Sequence, residues 1–154
     1  MKNIQQRMSE LGIVLPAIAA PAGNYLPYIL EHNQLWISGQ VPFWDGKIKY
    51  HGKVGEDVSM SDAIDSARIC GLNILAQAQE ALGSLEHIQK VVRLNGYVNA
   101  SSHFTKHPVV INGASDLMVD VFGKAGKHTR VALGAASLPL NSTTEVDAIF
   151  SICN

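Results

Sequence analysis

Residues 128–149 constrain this chain more than any other stretch. They read His-Thr-Arg-Val-Ala-Leu-Gly-Ala-Ala-Ser-Leu-Pro-Leu-Asn-Ser-Thr-Thr-Glu-Val-Asp-Ala-Ile. Two short apolar runs flank a turn carrying Leu138-Pro139, the pattern of two strands. Alternation puts Arg130, Ala132, Gly134 and Ala136 on one face of the first strand and Val131, Leu133 and Ala135 on the other. The arginine heads a row of small side chains, and space beside a fixed guanidinium suits a carboxylate ligand. An arginine inside an apolar strand needs a partner, because burying an unpaired charge is costly. Spacing alone leaves two open: a structural ion pair with Asp147 or Glu145, or a ligand carboxylate. Glu145 alternates with Val146, and on that pattern it reads as solvated surface.

The rest of the chain supplies the elements these strands join. Ile4, Met8 and Leu11 stand at helical spacing, with Gly12 placed to end a short helix. Tyr28 to Glu31 and Leu35 to Val41 read as strands joined by a turn around Asn33. Asp45-Gly46 marks a tight turn into a third short strand, Lys47 to Tyr50. Ser59, with Asp62 three residues on, opens a helix that Gly83 stops. Its apolar stripe includes Ile64, Ala67, Gly71, Ile74, Leu75, Ala78 and Leu82. Lys90 to Val98 is β-rich, and residues 99–107 form a polar loop. Pro108 occupies the first turn of a further helix that Gly123 or Gly126 ends. This order predicts an α+β fold, a mixed sheet with two helices on one face. The other face then needs a cover, and a second copy of the chain is the simplest one.

Bulk properties bound the function. A chain of 154 residues fits a single domain spanning 1–154, with 1–20 as an N-terminal extension. A formal net charge of -1 argues against a protein that lives on nucleic-acid backbone, which needs a basic patch. No apolar run is long enough to span a bilayer, and the polar N-terminus is unlike a signal peptide, so the cytoplasm is expected. Cys70 and Cys153 form no framework and read as small buried hydrophobes. The six histidines make neither HxH nor HExxH. His103 and His107 are four apart, but Pro108 pushes His107 out of the helical region, so no metal site is expected. There is no GxGxxG, no GxxxxGK[ST] and no GxSxG. Ser38-Gly39-Gln40 interrupts an apolar strand, as either a bulge at a sheet edge or a close backbone approach to a ligand.

Taken together, Ser38-Gly39-Gln40-Val41-Pro42, Asn112, Arg130 eight residues before Leu138-Pro139, and Glu145 seven after Leu138 resemble the Rid/YjgF family of enamine/imine deaminases. The resemblance covers nearly the whole chain. The pattern Arg-x-Ala-x-Gly-x-x-x-Leu-Pro is similar to the family's longer branch, often labelled endoribonuclease. The family's short form has Gly-Pro-Tyr where this chain has Gly23-Asn24-Tyr25. It commonly has cysteine where this chain has Ala132, and the 99–107 loop here is long.

The resemblance implies a chorismate-mutase-like fold, a homotrimer, and ligand sites in clefts between subunits. It implies hydrolysis of small 2-imino or enamine acids to 2-oxo acids and ammonia, without metal or organic cofactor. Arg130 would grip the substrate carboxylate, Glu145 would stand near the reacting carbon, and Tyr25 would complete the catalytic set. Ser38, Gly39, Asn112 and Ala132 would line the site. Three other functions compete with this one. The first is reversible carboxylate binding without turnover. The second is the endoribonuclease activity of the branch label, which the sequence supports little, since it lacks a basic stripe with interleaved aromatics. The third is a chorismate-mutase activity, by analogy of fold alone.

Overall fold

A computed structural model describes residues 2–153. Helix α1 (Ile4–Glu10) comes first. Strands β1 (Tyr28–Glu31), β2 (Gln34–Gln40), β3 (Phe43–Trp44) and β4 (Lys47–Ile48) follow. Then come α2 (Met60–Leu82), β5 (Ile88–Asn99), α3 (His107–Phe122), β6 (Thr129–Ala135) and β7 (Thr144–Ile152). The main sheet has the order β1-β2-β7-β5-β6, and β3 and β4 form a separate hairpin. All neighbours in the main sheet are antiparallel except β5 and β6. That parallel pair needs a crossover, and α3 supplies it.

The helices begin and end where the local chemistry places them. The Ser59 hydroxyl caps α2 by accepting the Asp62 N–H at 3.1 Å. Gly83 ends α2 in the left-handed region, at φ 73°. In α1, Asn3 and Gln6 form a reciprocal capping box. The helix is held to the rest of the chain by the Glu86 carboxylate, which accepts the Ile4 N–H at 2.7 Å. Arg7 donates to the Asp120 carbonyl at 3.0 Å. The short N-terminal helix expected from Ile4, Met8 and Leu11 is thus present, and α3 begins at His107 rather than after it.

Both long helices pack on one face of the sheet. Along β7, Thr144, Val146, Ala148, Phe150 and Ile152 are buried, while Glu145, Asp147, Ile149 and Ser151 face the other way. Leu35 and Ile37 of β2 and Leu94 and Val98 of β5 point to the same side as Phe150. The core between sheet and helices contains Ile74, Leu75, Ile111 and Leu117, all fully buried. The opposite face stays open and carries exposed Ile29, Trp36 and Leu133, the last two 47% and 49% exposed. No helix among the described residues is long and apolar enough to cross a membrane.

The two strands of residues 128–149 do not pair with each other, because β5 lies between β6 and β7. One expectation needs correction. Cys70 is buried as expected, and burial pushes its thiol up to about 12, but Cys153 is exposed.

Candidate functional site

The open face of the sheet carries one cluster of the expected residues. A cleft of about 1070 Å³ is lined by Tyr25, Trp36, Ser38, Gly39, Asn95, Glu145 and Asp147, among others. Its floor depends on a bulge in β2, where the pairing with β7 shifts register between Ile37 and Gln40. The bulge lies on an inner strand, not at the sheet edge. A Cβ on Gly39 would run into the Glu145 carboxylate, whose Cδ would be 3.1 Å away. Glycine at 39 therefore lets that carboxylate lie against the β2 backbone. The Ser38 hydroxyl donates to the Leu26 carbonyl at 2.6 Å and ties down the segment carrying Tyr25. Tyr25 is half exposed, and its phenol oxygen accepts the Ala22 N–H at 3.4 Å.

Glu145 is half-buried rather than solvated. Burial, and then the charge of Asp147, raise its carboxyl above the ordinary range. Asp147 is raised too, by burial, against the opposing influence of the Asn95 amide and Arg93. Asn95 donates to Asp147 Oδ1 at 2.7 Å, and Arg93 Nε donates to Asn95 Oδ1 at 2.9 Å. These contacts fix the Asn95 amide and make Asp147 the more firmly bound carboxylate of the pair.

Arg130 lies elsewhere. Its Nη1 donates to Asn112 Oδ1 at 2.8 Å and to Ser115 Oγ at 3.0 Å, and Nη2 donates to the Pro108 carbonyl at 3.1 Å. Behind it stands a further link. His128 Nδ1 is 2.6 Å from the Gly126 carbonyl, and its Nε2 is 2.9 Å from Ser115 Oγ. A carbonyl can only accept, so Nδ1 carries the proton and Nε2 accepts from Ser115. Burial first, and then the charge of Arg130, lower the His128 pKa and favour this neutral tautomer. The serine lone pairs are then left for Arg130.

Neither Glu145 nor Asp147 pairs with Arg130. In the sheet register, Arg130 stands opposite buried Leu94 and points to the helix side, whereas Glu145 stands opposite Tyr97 and points to the open side. Among the described residues no carboxylate is within ion-pair reach of Arg130. One chain thus holds two separate groups. Tyr25, Ser38, Gly39 and Glu145 share the open cleft. Arg130 and Asn112, with Ala132 next along the strand, occupy the sheet edge beside α3.

The sequence reading passed over Ser115, Asn95 and the place of Asp147 in the cleft. Ser115 was within reach of pattern reasoning, since it follows Asn112 by three residues and shares its helical face. Asn95 was not, because its pairing with Asp147 depends on strand order. No group of three or more His, Cys, Asp or Glu side chains among the described residues could hold a metal ion.

This architecture has known relatives. The sequence profile of the family described as "YjgF/chorismate_mutase-like, putative endoribonuclease" matches residues 5–151. Protein TCP17 of Trypanosoma cruzi is 42% identical over 153 residues, covering 99% of this chain and 96% of that one. The crystal structure of Atu1372 from Agrobacterium tumefaciens is 45% identical with a TM-score of 0.91, covering 97% of this chain and 92% of that one. A "putative endoribonuclease" from Shewanella oneidensis is 36% identical with a TM-score of 0.95, covering 98% and 100%. The chain belongs to the YjgF/chorismate-mutase-like family, and its fold is the mixed α+β fold of that family.

Proposed function

We propose that this chain hydrolyses small 2-imino or enamine acids to 2-oxo acids and ammonia, in clefts between the subunits of a homotrimer. The observation that carries the reading is the state of Arg130. A guanidinium has five N–H donors, and three of them are spent on Asn112, Ser115 and Pro108. Nε–H and one hydrogen of Nη2 are left, the pair a bidentate carboxylate requires. Its three protein partners are all neutral, so the ligand carboxylate would supply the missing negative charge.

The remaining chemistry is modest. Water adds to the C=N carbon, the nitrogen takes up a proton, ammonia leaves, and a C=O bond replaces C=N. Glu145 takes a proton from the attacking water as base and returns one to the departing nitrogen as acid. A carboxyl pushed upward by burial is a stronger base toward the attacking water than an ordinary carboxylate. Tyr25 and the lone pairs of Ser38 hold water or substrate, and Gly39 keeps the backbone clear. The separation of Arg130 from Glu145 within one chain favours a site completed by a second subunit. The open face with Ile29, Trp36 and Leu133 is the surface we assign to that contact. We place the protein in the cytoplasm, where unpaired thiols such as Cys70 and Cys153 persist.

The test generates 2-imino acids in situ with an amino-acid oxidase and lets semicarbazide compete with the added protein. Wild type is expected to drain the imine pool. Arg130→Ala is expected to lose at least about a hundredfold in rate while keeping its assembly state, since a charge-assisted bidentate pair is gone. Wild-type rates in the mutant would remove Arg130 from the mechanism. If the wild type acts on no imine but binds 2-oxo acids, the cleft serves carboxylate binding without turnover.

A further inference from the structure

His128 and Arg130 stand two residues apart at the head of β6, so both side chains lie on the helix side of the strand. There they meet the same residue of α3. Ser115 Oγ is 2.9 Å from His128 Nε2 and 3.0 Å from Arg130 Nη1. The segment that carries them is pinned on both sides. A Cβ on Gly126 would strike the Met118 carbonyl and stand 2.8 Å from Val119 Cα, so Gly126 is seated directly on the α3 backbone. The Thr129 hydroxyl donates to the Val92 carbonyl of β5 at 2.8 Å. The Gly126 carbonyl, which accepts from His128 Nδ1, is therefore fixed relative to Ser115.

These contacts decide what the serine hydroxyl does. A serine inside a helix often turns its hydroxyl back to the carbonyl four residues earlier, here that of Ile111. In this chain its side-chain partners among the described residues are His128 and Arg130. A guanidinium can only donate, so of these two only the histidine can take the hydroxyl hydrogen. With that hydrogen committed to Nε2, a lone pair of the serine oxygen is held toward Arg130 Nη1. Asn112 Oδ1 takes the other Nη1 hydrogen at 2.8 Å, and the Pro108 carbonyl takes one from Nη2 at 3.1 Å. Three acceptors on two nitrogens hold the guanidinium plane against rotation. The edge left free is Nε–H with the second hydrogen of Nη2.

We propose that His128 is a positioning residue for carboxylate recognition, acting through Ser115 to hold the Arg130 guanidinium with its Nε and Nη2 edge free for the ligand. This rests on Arg130 as the carboxylate clamp of the reading above, and not on the hydrolysis that follows binding. His128 itself touches no ligand in this arrangement. Burial and the charge of Arg130 keep its ring neutral, and so able to accept. Without that acceptor the Ser115 hydroxyl turns toward Ile111, and one of the three restraints on the guanidinium is lost.

Isothermal titration calorimetry with 2-oxobutanoate reads the clamp directly, and two substitutions separate the ring nitrogens. His128→Asn can still donate to Gly126 but offers Ser115 no acceptor. His128→Gln places an amide oxygen near the position of Nε2. His128→Asn is expected to weaken binding about fivefold, as the loss of one neutral hydrogen bond implies, and His128→Gln to recover most of the affinity. Ser115→Ala should match His128→Asn. The double variant should bind no more weakly than either single one, because both act through one contact. Where imine hydrolysis is measured on the same preparations, KM should rise with kcat little changed. A histidine that only supports the fold would instead lower the melting temperature and add its loss to that of Ser115→Ala. Additive losses, a His128→Gln variant as weak as His128→Asn, wild-type affinity in His128→Asn, or no binding by the wild type would overturn the proposal. Binding that depends on His128, without any imine turnover, would keep the positioning role and remove deamination.

Discussion

At position 39 the chain does without a side chain, and Glu145 occupies the vacated space against β2. The same confinement raises the Glu145 carboxyl, and that shift has a measurable consequence. Its folded-state pKa lies above the unfolded value, so between the two values the folded chain binds more protons than the unfolded one. Stability then falls as pH rises through that window, and at neutral pH the full penalty of a half-buried charge is present. Glu145→Gln has no such penalty. Its melting temperature is expected to exceed that of the wild type at pH 7, with the gap closing as pH falls toward ~4, near the unfolded carboxyl value. A gap that is absent at pH 7, or that grows on acidification, would show that burial does not strain this carboxylate. How much of the site was legible also divides at this scale. Tyr25, Ser38, Gly39 and Glu145 were marked by the order of short motifs, and the structure gathers them in one cleft. Ser115 and His128, which hold Arg130 from behind, belong to no motif, because their role appears only when α3 lies over β6.

At the scale of elements, the two long helices approach closely through glycine. A Cβ on Gly113 of α3 would strike the Ile64 carbonyl of α2 and stand 3.0 Å from the Arg68 nitrogen. Backbone cannot move aside as a side-chain tip can, so α3 would have to lift. Because α3 also carries the Asn112, Ser115 and Pro108 contacts to Arg130, the shift would disturb the guanidinium as well. Gly113→Ala is expected to cost about 1–3 kcal/mol, as overpacking does, and to lower the melting temperature by several degrees. A thermal melt at wild-type temperature would mean that the helices have slack at this crossing. Element identities were readable from periodicity and capping: Ser59 and Gly83 bound α2, and the alternation along β6 and β7 assigned their faces. Strand order was not readable. The sequence places residues 130–136 and 143–149 next to each other, yet β5 inserts between them. Pairing across such distances is decided by burial of the Leu94 and Val98 face, not by any local signal.

For the whole molecule, the decisive fact is that Arg130 and Glu145 point to opposite sides of one sheet. A site that uses both must draw them from different copies of the chain, and a closed cyclic trimer supplies three such junctions. This can be tested without an atomic structure of the assembly. Arg130→Ala and Glu145→Gln are each expected to be inactive as pure proteins. After denaturation, mixing in equal amounts and refolding, subunits assort at random. At each junction the chain giving the arginine must be the glutamate mutant, and its neighbour must be the arginine mutant. Each condition has a chance of one half, so about a quarter of the junctions carry both native residues in a cyclic assembly. The mixture should therefore recover roughly a quarter of wild-type imine hydrolysis, with a sedimentation profile like that of the parent. Activity that stays at the level of the separate mutants, despite proven exchange of subunits, would mean that each site is built within one chain. The two residues would then have to meet by a rearrangement of β6, and the exposed Trp36 and Leu133 would need another explanation.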